Sequence, residues 1–255
     1  MLVIDTSFPA TGFNERNGEP VGQVILHYTA APFGSSLRTL TRDGVSAHYL
    51  LPDPGEPSYR AAGYEELRVF RLVAEEQRAW HAGVSHWAGR DNLNSRSIGI
   101  EIVNLARDDG GVFTFPSYGE EQTDVLIALV RDILGRYPQV GPTDILGHSD
   151  VAYARKSDPG PQLPWRRLHE AGVGAWFDET TRAMYQRRFC TGLPSEVEVE
   201  RAFQRYGYAP AKNRQAFQQR TRAFQMHFRP RDFCGTLDAE TCAILYALNE
   251  KYLGL

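Results

Sequence analysis

Residues 21–30 read VGQVILHYTA. The run is apolar and rich in β-branched side chains, which predicts a buried strand that delivers His27 and Tyr28 at its C-terminal end. Working outward, SSLRTLTRD (35–43) has helical spacing, with Ser35 or Ser36 as the expected N-cap and Gly44 as its stop. SAHYLLP (46–52) reads as a second strand ended by Pro52, and residues 53–66 as a loop rich in Pro and Gly. RVFRLVAE (68–75) is a third strand whose apolar members are Val69, Leu72 and Val73. AWHAGVSHWAGRDNLNS (79–95) has the small and polar residues of an irregular functional loop.

SIGIEIVNL (97–105) returns to strand character and is nearly continuous hydrophobe, so its single carboxylate, Glu101, is conspicuous. GEEQTDVLIALVRDILGRY (119–137) is an amphipathic helix, acidic in its first turns and ending on Arg136, with Pro138 closing it. DILGHSD (144–150) reads as a short strand leading into a loop, and ARKSDPGPQLPW (154–165) as a turn-rich loop. Strands interleaved with helices predict an α/β fold, a mixed central sheet flanked by helices. Past residue 172 the pattern weakens into a helical connector. From about Ser195 it is wholly helical, through VEVERAFQRYGY, RQAFQQRTRAFQMHF and LDAETCAILYALNEKY. The expected division is therefore 1–180, a connector at 181–194, and a small all-α C-terminal domain of three helices at 195–255. A unit of about 60 residues folds alone only marginally, so docking onto the first domain is expected.

The net charge of −3 gives no global attraction to nucleic acid or to an anionic membrane. Every apolar run is broken well short of the roughly 18 residues that a membrane span needs. The N-terminal stretch has an acidic Asp5 and no basic start or apolar core, which is not the pattern of a secretory signal peptide. Cys190, Cys234 and Cys242 form neither a disulfide framework nor a CxxC zinc ribbon, and read as small buried hydrophobes. Only three of the 28 basic residues are lysines, at 156, 212 and 251. A compact ammonium is not interchangeable with a planar guanidinium in a tight site, so a Lys at 156 beside other polar residues of interest draws the eye.

A catalytic zinc takes three protein ligands of N and O type and keeps a fourth position open for water. His27 ends one apolar strand, His148 ends another, and Asp158 follows ten residues later in a loop restrained by Pro and Gly. Two His and one carboxylate suit such a site, although spacing alone does not prove it. Glu101, in its apolar strand, suits a proton carrier because burial raises a carboxylate's pKa toward the working range. It equally fits a buried ion pair with an Arg. Lys156, two residues before Asp158, suits a group that steadies a developing oxyanion, although by itself it reads more simply as a solvated loop residue. Phe203, Phe224 and Phe228, at helical spacing, read as core of the C-terminal unit.

The ordered set VILHYTA, SAHYLL, AWHAGVS, SIGIEIVN and GHSD…ARKSDPGP resembles the N-acetylmuramoyl-L-alanine amidases of the zinc class that includes T7 lysozyme and AmpD. Within that family it is most similar to the larger AmpD homologues with a C-terminal peptidoglycan-binding module, and the resemblance spans nearly the whole chain. It implies one catalytic Zn2+ on His27, His148 and Asp158, with Glu101 and Lys156 as catalytic residues. It further implies that His48 and His81, and more weakly Tyr28 and Asn92, line the groove for sugar and stem peptide. For His48 a buried supporting role remains the alternative. His86 and His169 have no such support and read as surface residues, and His227 is expected away from the metal.

AFQMHFRP followed by GTLDAETCAILYAL is similar to the helical peptidoglycan-binding domain, which implies peptidoglycan or anhydro-muropeptides as partners. The implied reaction is hydrolysis of the amide between N-acetylmuramic acid, or its 1,6-anhydro form, and L-Ala of the stem peptide. The rival readings are a protein that binds murein without cutting it and a metallo-endopeptidase of the cross-link. The binding module points to the periplasm or cell envelope, while the missing signal peptide leaves a cytoplasmic role in recycling open. Self-association through the extra module also stays open.

Overall fold

The computed structural model describes residues 2–109 and 112–254. Its centre is a six-stranded mixed sheet of β1 (Ile4–Asp5), β2 (Gln23–Tyr28), β3 (Tyr49–Leu51), β4 (Val69–Arg71), β5 (Ser97–Ile102) and β6 (Ile145–Gly147), in the order β1-β4-β3-β5-β2-β6. β3, β5, β2 and β6 run parallel; β4 opposes β3, and β1 follows β4. The two longest strands, β2 and β5, lie side by side inside the sheet. Val24, Ile25, Leu26, Ile98, Ile100 and Ile102 are all fully buried, as expected of parallel strands covered on both faces.

Helices pack on this sheet. α1 (Phe33–Leu40) sends Phe33 into a ring cluster with Tyr59, Tyr64 and Phe70. It starts two residues before the expected Ser35, because Pro32 occupies the N-cap and Ser36 Oγ donates back to the Pro32 carbonyl instead of capping. The stretch expected as plain loop contains α2 (Pro57–Ala61), with Pro57 in its first turn and the Glu56 carboxylate accepting from the amides of Ser58 and Tyr59. α3 (Glu120–Arg136) buries Leu126, Leu129, Val130 and Ile133, and Gln122 Nε2 donates to the carbonyls of Pro52 and Val103 at the ends of β3 and β5. GHSD does not run from strand into open loop. It turns directly into the one-turn helix α4 (His148–Val151), because Asp150 reaches back to the Gly147 amide.

After α5 (Trp165–Glu170), helix α6 (Glu179–Phe189) occupies most of the segment expected as a connector. Its Tyr185 and Phe189 pack on Tyr246, farther along the chain. α7 (Glu196–Tyr206), α8 (Arg214–Phe228) and α9 (Ala239–Leu253) complete the helical unit, each started by a side-chain cap from Ser195, Asn213 or Asp238. Phe203, Phe224 and Phe228 form its core as the spacing implied. Of the cysteines only Cys242 is buried; Cys190 and Cys234 are exposed, since each falls in a turn beyond a helix. Among the described residues no helix is long and apolar enough to cross a membrane.

Candidate metal and catalytic site

In an open sheet of parallel strands, binding sites form beyond the strands' C-terminal ends. Here β2 and β5 pair with His27 opposite Glu101, so the imidazole and the carboxyl emerge side by side on one face. β6 pairs Gly147 with Leu26, which sets His148 of α4 beside His27. The loop after α4 then folds back, held where the Ser149 amide donates to the Asp158 carbonyl at 2.8 Å. This return needs Gly147: a Cβ there would lie 2.7 Å from Pro159 Cδ.

The result is a compact triad. His27 Nδ1, His148 Nδ1 and Asp158 Oδ2 lie 2.9 Å from one another on all three sides, in a region almost closed to solvent. The hydrogen bonds around them decide where the protons are. His148 Nε2 lies 3.0 Å from the Ala82 carbonyl, which can only accept, so this nitrogen carries the hydrogen. Arg155 fits that assignment, since it spends both hydrogens of one terminal amino group on the carbonyls of Ala82 and Val84.

A relay settles His27. Ser97 Oγ donates its one hydrogen to the Leu93 carbonyl, so it accepts from His81 Nε2 at 3.2 Å. His81 Nδ1 is then an acceptor, and the hydrogen at the 3.0 Å contact belongs to His27 Nε2. Both Nδ1 atoms of the triad are therefore bare lone pairs, facing a carboxylate oxygen. Three such atoms repel one another unless a cation sits among them, and two imidazoles with one carboxylate are a donor set that zinc accepts. Burial, then the neighbouring His148, lowers His27 to about 4, which keeps it neutral and free to ligate. His81 is depressed well below the usual histidine value by burial and by its histidine neighbours.

Glu101 lies beside the triad. Its Oε2 is sealed from solvent and has no hydrogen-bond partner among the described residues, so the Arg ion pair that its sequence allowed is not what it makes. Burial drives its pKa well above the ordinary carboxylate value, the Asp158 charge adds to that, and the Lys156 ammonium pulls it back. Lys156 is exposed, on the loop between α4 and Asp158, and its charge reaches both Glu101 and His27. Tyr118, absent from the sequence candidates, donates to the Pro159 carbonyl at 2.7 Å, and burial followed by the Asp158 charge holds its hydroxyl proton tightly.

Of the four residues expected along a groove, His81 stands behind His27 as the relay just described. Tyr28 is part-buried, sharing a 2.6 Å hydrogen bond with Ser157 Oγ next to Asp158. His48 does not line an open surface. It is fully buried, accepts from the Gly99 amide at Nδ1, donates from Nε2 to the Gln77 carbonyl, and is held near 3 by burial and the Arg16 guanidinium. Asn92 is exposed at a left-handed turn before Leu93, with its amide bonded to the Ser85 carbonyl. Ser97, Asn94 and the Ala82 carbonyl were not legible as site residues. Asn94 Oδ1 accepts from the amides of His81 and Ala82 and so aims both groups.

Comparison with known proteins gives concordant matches. The profile of the N-acetylmuramoyl-L-alanine amidase family matches residues 17–161. N-acetylmuramoyl-L-alanine amidase AmiD of Escherichia coli is 41% identical over 233 residues, 90% of this chain and 82% of that protein. The crystal structure of AmpDh3 from Pseudomonas aeruginosa in complex with anhydromuramic pentapeptide superposes with a TM-score of 0.89 at 56% identity, covering 99% of each chain. The complex of E. coli AmiD with anhydro-N-acetylmuramic acid-L-Ala-D-gamma-Glu-L-Lys superposes at 0.81 with 38% identity, covering 98% of this chain and 95% of that one.

Proposed function

The chain belongs to the N-acetylmuramoyl-L-alanine amidase family, and from that premise we propose that it hydrolyses the amide between N-acetylmuramic acid, or its 1,6-anhydro form, and L-Ala of the stem peptide, using one zinc ion held by His27, His148 and Asp158. The anhydro-muropeptides bound to AmpDh3 and AmiD support that substrate class. The observation that carries the metal is the convergence of three buried ligand atoms 2.9 Å from one another, with bonds at the far ring nitrogens that assign the hydrogens away from both Nδ1 atoms.

When bound, zinc supplies Lewis acidity at the scissile carbonyl and brings a water's pKa down to about 7. The chain supplies the rest. Glu101, with its raised pKa and unpartnered Oε2, takes the proton of the attacking water and passes it to the leaving amine nitrogen. Lys156 steadies the developing oxyanion with a charge that already reaches Glu101. His81 and Ser97 keep the His27 hydrogen on Nε2, so that Nδ1 stays a ligand. Tyr28, beside Ser157 and Asp158, is the best placed of the expected groove residues to meet substrate.

The roles separate in variants. His27→Ala or Asp158→Ala loses zinc and activity together, while Glu101→Ala retains zinc and loses about 10²–10⁴-fold in kcat. A Glu101→Ala protein that had also lost its metal would sink this division. Mass spectrometry of a murein digest distinguishes the rivals. The amidase frees intact stem peptides from the sugar, an endopeptidase shortens the stems, and a pure binding protein releases nothing. The helical unit, read as a murein-holding domain, raises the local concentration of polymeric substrate and favours the cell envelope over soluble recycling in the cytoplasm. Faster turnover on intact sacculi than on soluble anhydro-muropeptides is the expected result.

A further inference from the structure

Asp150 follows the ligand His148 by two residues and has 1% of its surface exposed. Its carboxylate serves three donors. The Gly147 amide reaches Oδ2 at 2.8 Å, from within the β6–α4 corner itself. The other two come from the helical unit: Tyr208 donates to Oδ1 at 2.6 Å and His227 Nδ1 to Oδ2 at 2.8 Å. The His227 ring is clamped between Trp165, with centroids 3.7 Å apart, and Phe228 at 3.9 Å, so its donor cannot swing away.

The same stretch grips the other wall of the site. Gly207 accepts at its carbonyl from the Ala88 amide, and a Cβ at Gly207 would lie 2.6 Å from Trp87. Trp87 is fully buried against Tyr206 and Tyr208. Its loop carries His81 and the Ala82 carbonyl, the two groups that decide where the protons of His27 and His148 sit.

We propose that the helical unit is part of the metal centre's scaffold: Tyr208 and His227 clasp Asp150, fix the β6–α4 corner, and thereby aim His148 Nδ1. A buried carboxylate is tolerable only while its donors are in place. Two of the three reside in the helical unit, so the corner holds its shape only with that unit docked. Asp150, Tyr208 and His227 are positioning residues, since none touches the ligand atoms. This goes beyond a tethering role for the unit and rests on the zinc amidase reading above.

The test uses full-length Tyr208→Phe and His227→Phe, each of which keeps an aromatic ring and removes one donor. Zinc affinity by chelator competition is expected to fall about tenfold, the low end of what losing a group bonded directly to a ligand costs, because these donors act one residue further out. On a soluble anhydro-muropeptide kcat falls while KM holds. In metal-free protein, amide hydrogen exchange over residues 147–153 becomes faster. Zinc affinity, kcat and exchange all staying within about twofold of wild type would overturn the clasp, even if binding to sacculi weakened. If His227→Phe does not fold, Tyr208→Phe decides alone, because its ring stays among Trp87, Phe203 and Phe224. A wild-type protein that bound no zinc would refute the amidase reading, and the exchange measurement would still decide the clasp.

Discussion

In the proposed reaction, Glu101 and Lys156 set one working proton between them. Burial and the Asp158 carboxylate raise the Glu101 pKa, and Lys156 lowers it. A base acts only when deprotonated, so the acid limb of kcat/KM lies above the ordinary carboxylate value of about 4.3. Lys156→Ala removes the lowering influence, and its limb moves to higher pH; a pH–rate profile with the limb unmoved or moved down contradicts this. At this scale the proposed roles start from residue types that are readable in the sequence. A carboxylate alone in SIGIEIVNL and a lysine in an arginine-rich chain announce themselves by residue type. The groups that fix protonation were not readable, because a backbone carbonyl such as that of Ala82 has no sequence signature. Ser97 also looks like any strand-start serine. His48 shows the converse limit: its residue type suits a groove, yet the path of β5 buries it against the Gly99 amide.

Among the elements, β5 does the most to position the site. Gly99 lies two residues before Glu101, and a Cβ there would come within 2.4 Å of the His81 ring. The relay to His27 can pack against the strand only because that side chain is absent. Gly99→Ala should displace His81, destabilise the fold by about 1–3 kcal/mol, and weaken zinc binding. Chemical denaturation with a parallel zinc titration checks both; an unchanged zinc affinity would mean that His81 does not orient His27. The strands were legible as apolar runs and α3 as an amphipathic pattern, because burial imposes those periods. α2 and α4 were not: each is five residues or fewer and depends on one carboxylate, Glu56 or Asp150, reaching a backbone amide.

For the whole molecule, the size of the helical unit pointed to docking, but the contacts that make it are the feature least visible in the sequence. Its three helices and their aromatic core follow from spacing, but the partners of Tyr208, Gly207 and His227 lie far away along the chain. Trp87 is the hinge of that contact and is buried between loop and helical unit. Trp87→Ala should cost about 3–5 kcal/mol. Because the interface is lost with it, unfolding should split into separate sheet and helix transitions, seen when tertiary and helical circular dichroism signals no longer coincide. A single unchanged transition would mean that the two units are not held together there.

The central claim is that the bare lone pairs of His27, His148 and Asp158 hold the metal on which hydrolysis depends. The most direct measurement strips the protein with a chelator, returns zinc in steps, and follows release of stem peptide from an anhydro-muropeptide by mass spectrometry. The account predicts no release from stripped protein, recovery that saturates at one zinc per chain, and an intact stem beginning at L-Ala. Full activity in the stripped protein, or saturation that survives His148→Ala, would contradict it.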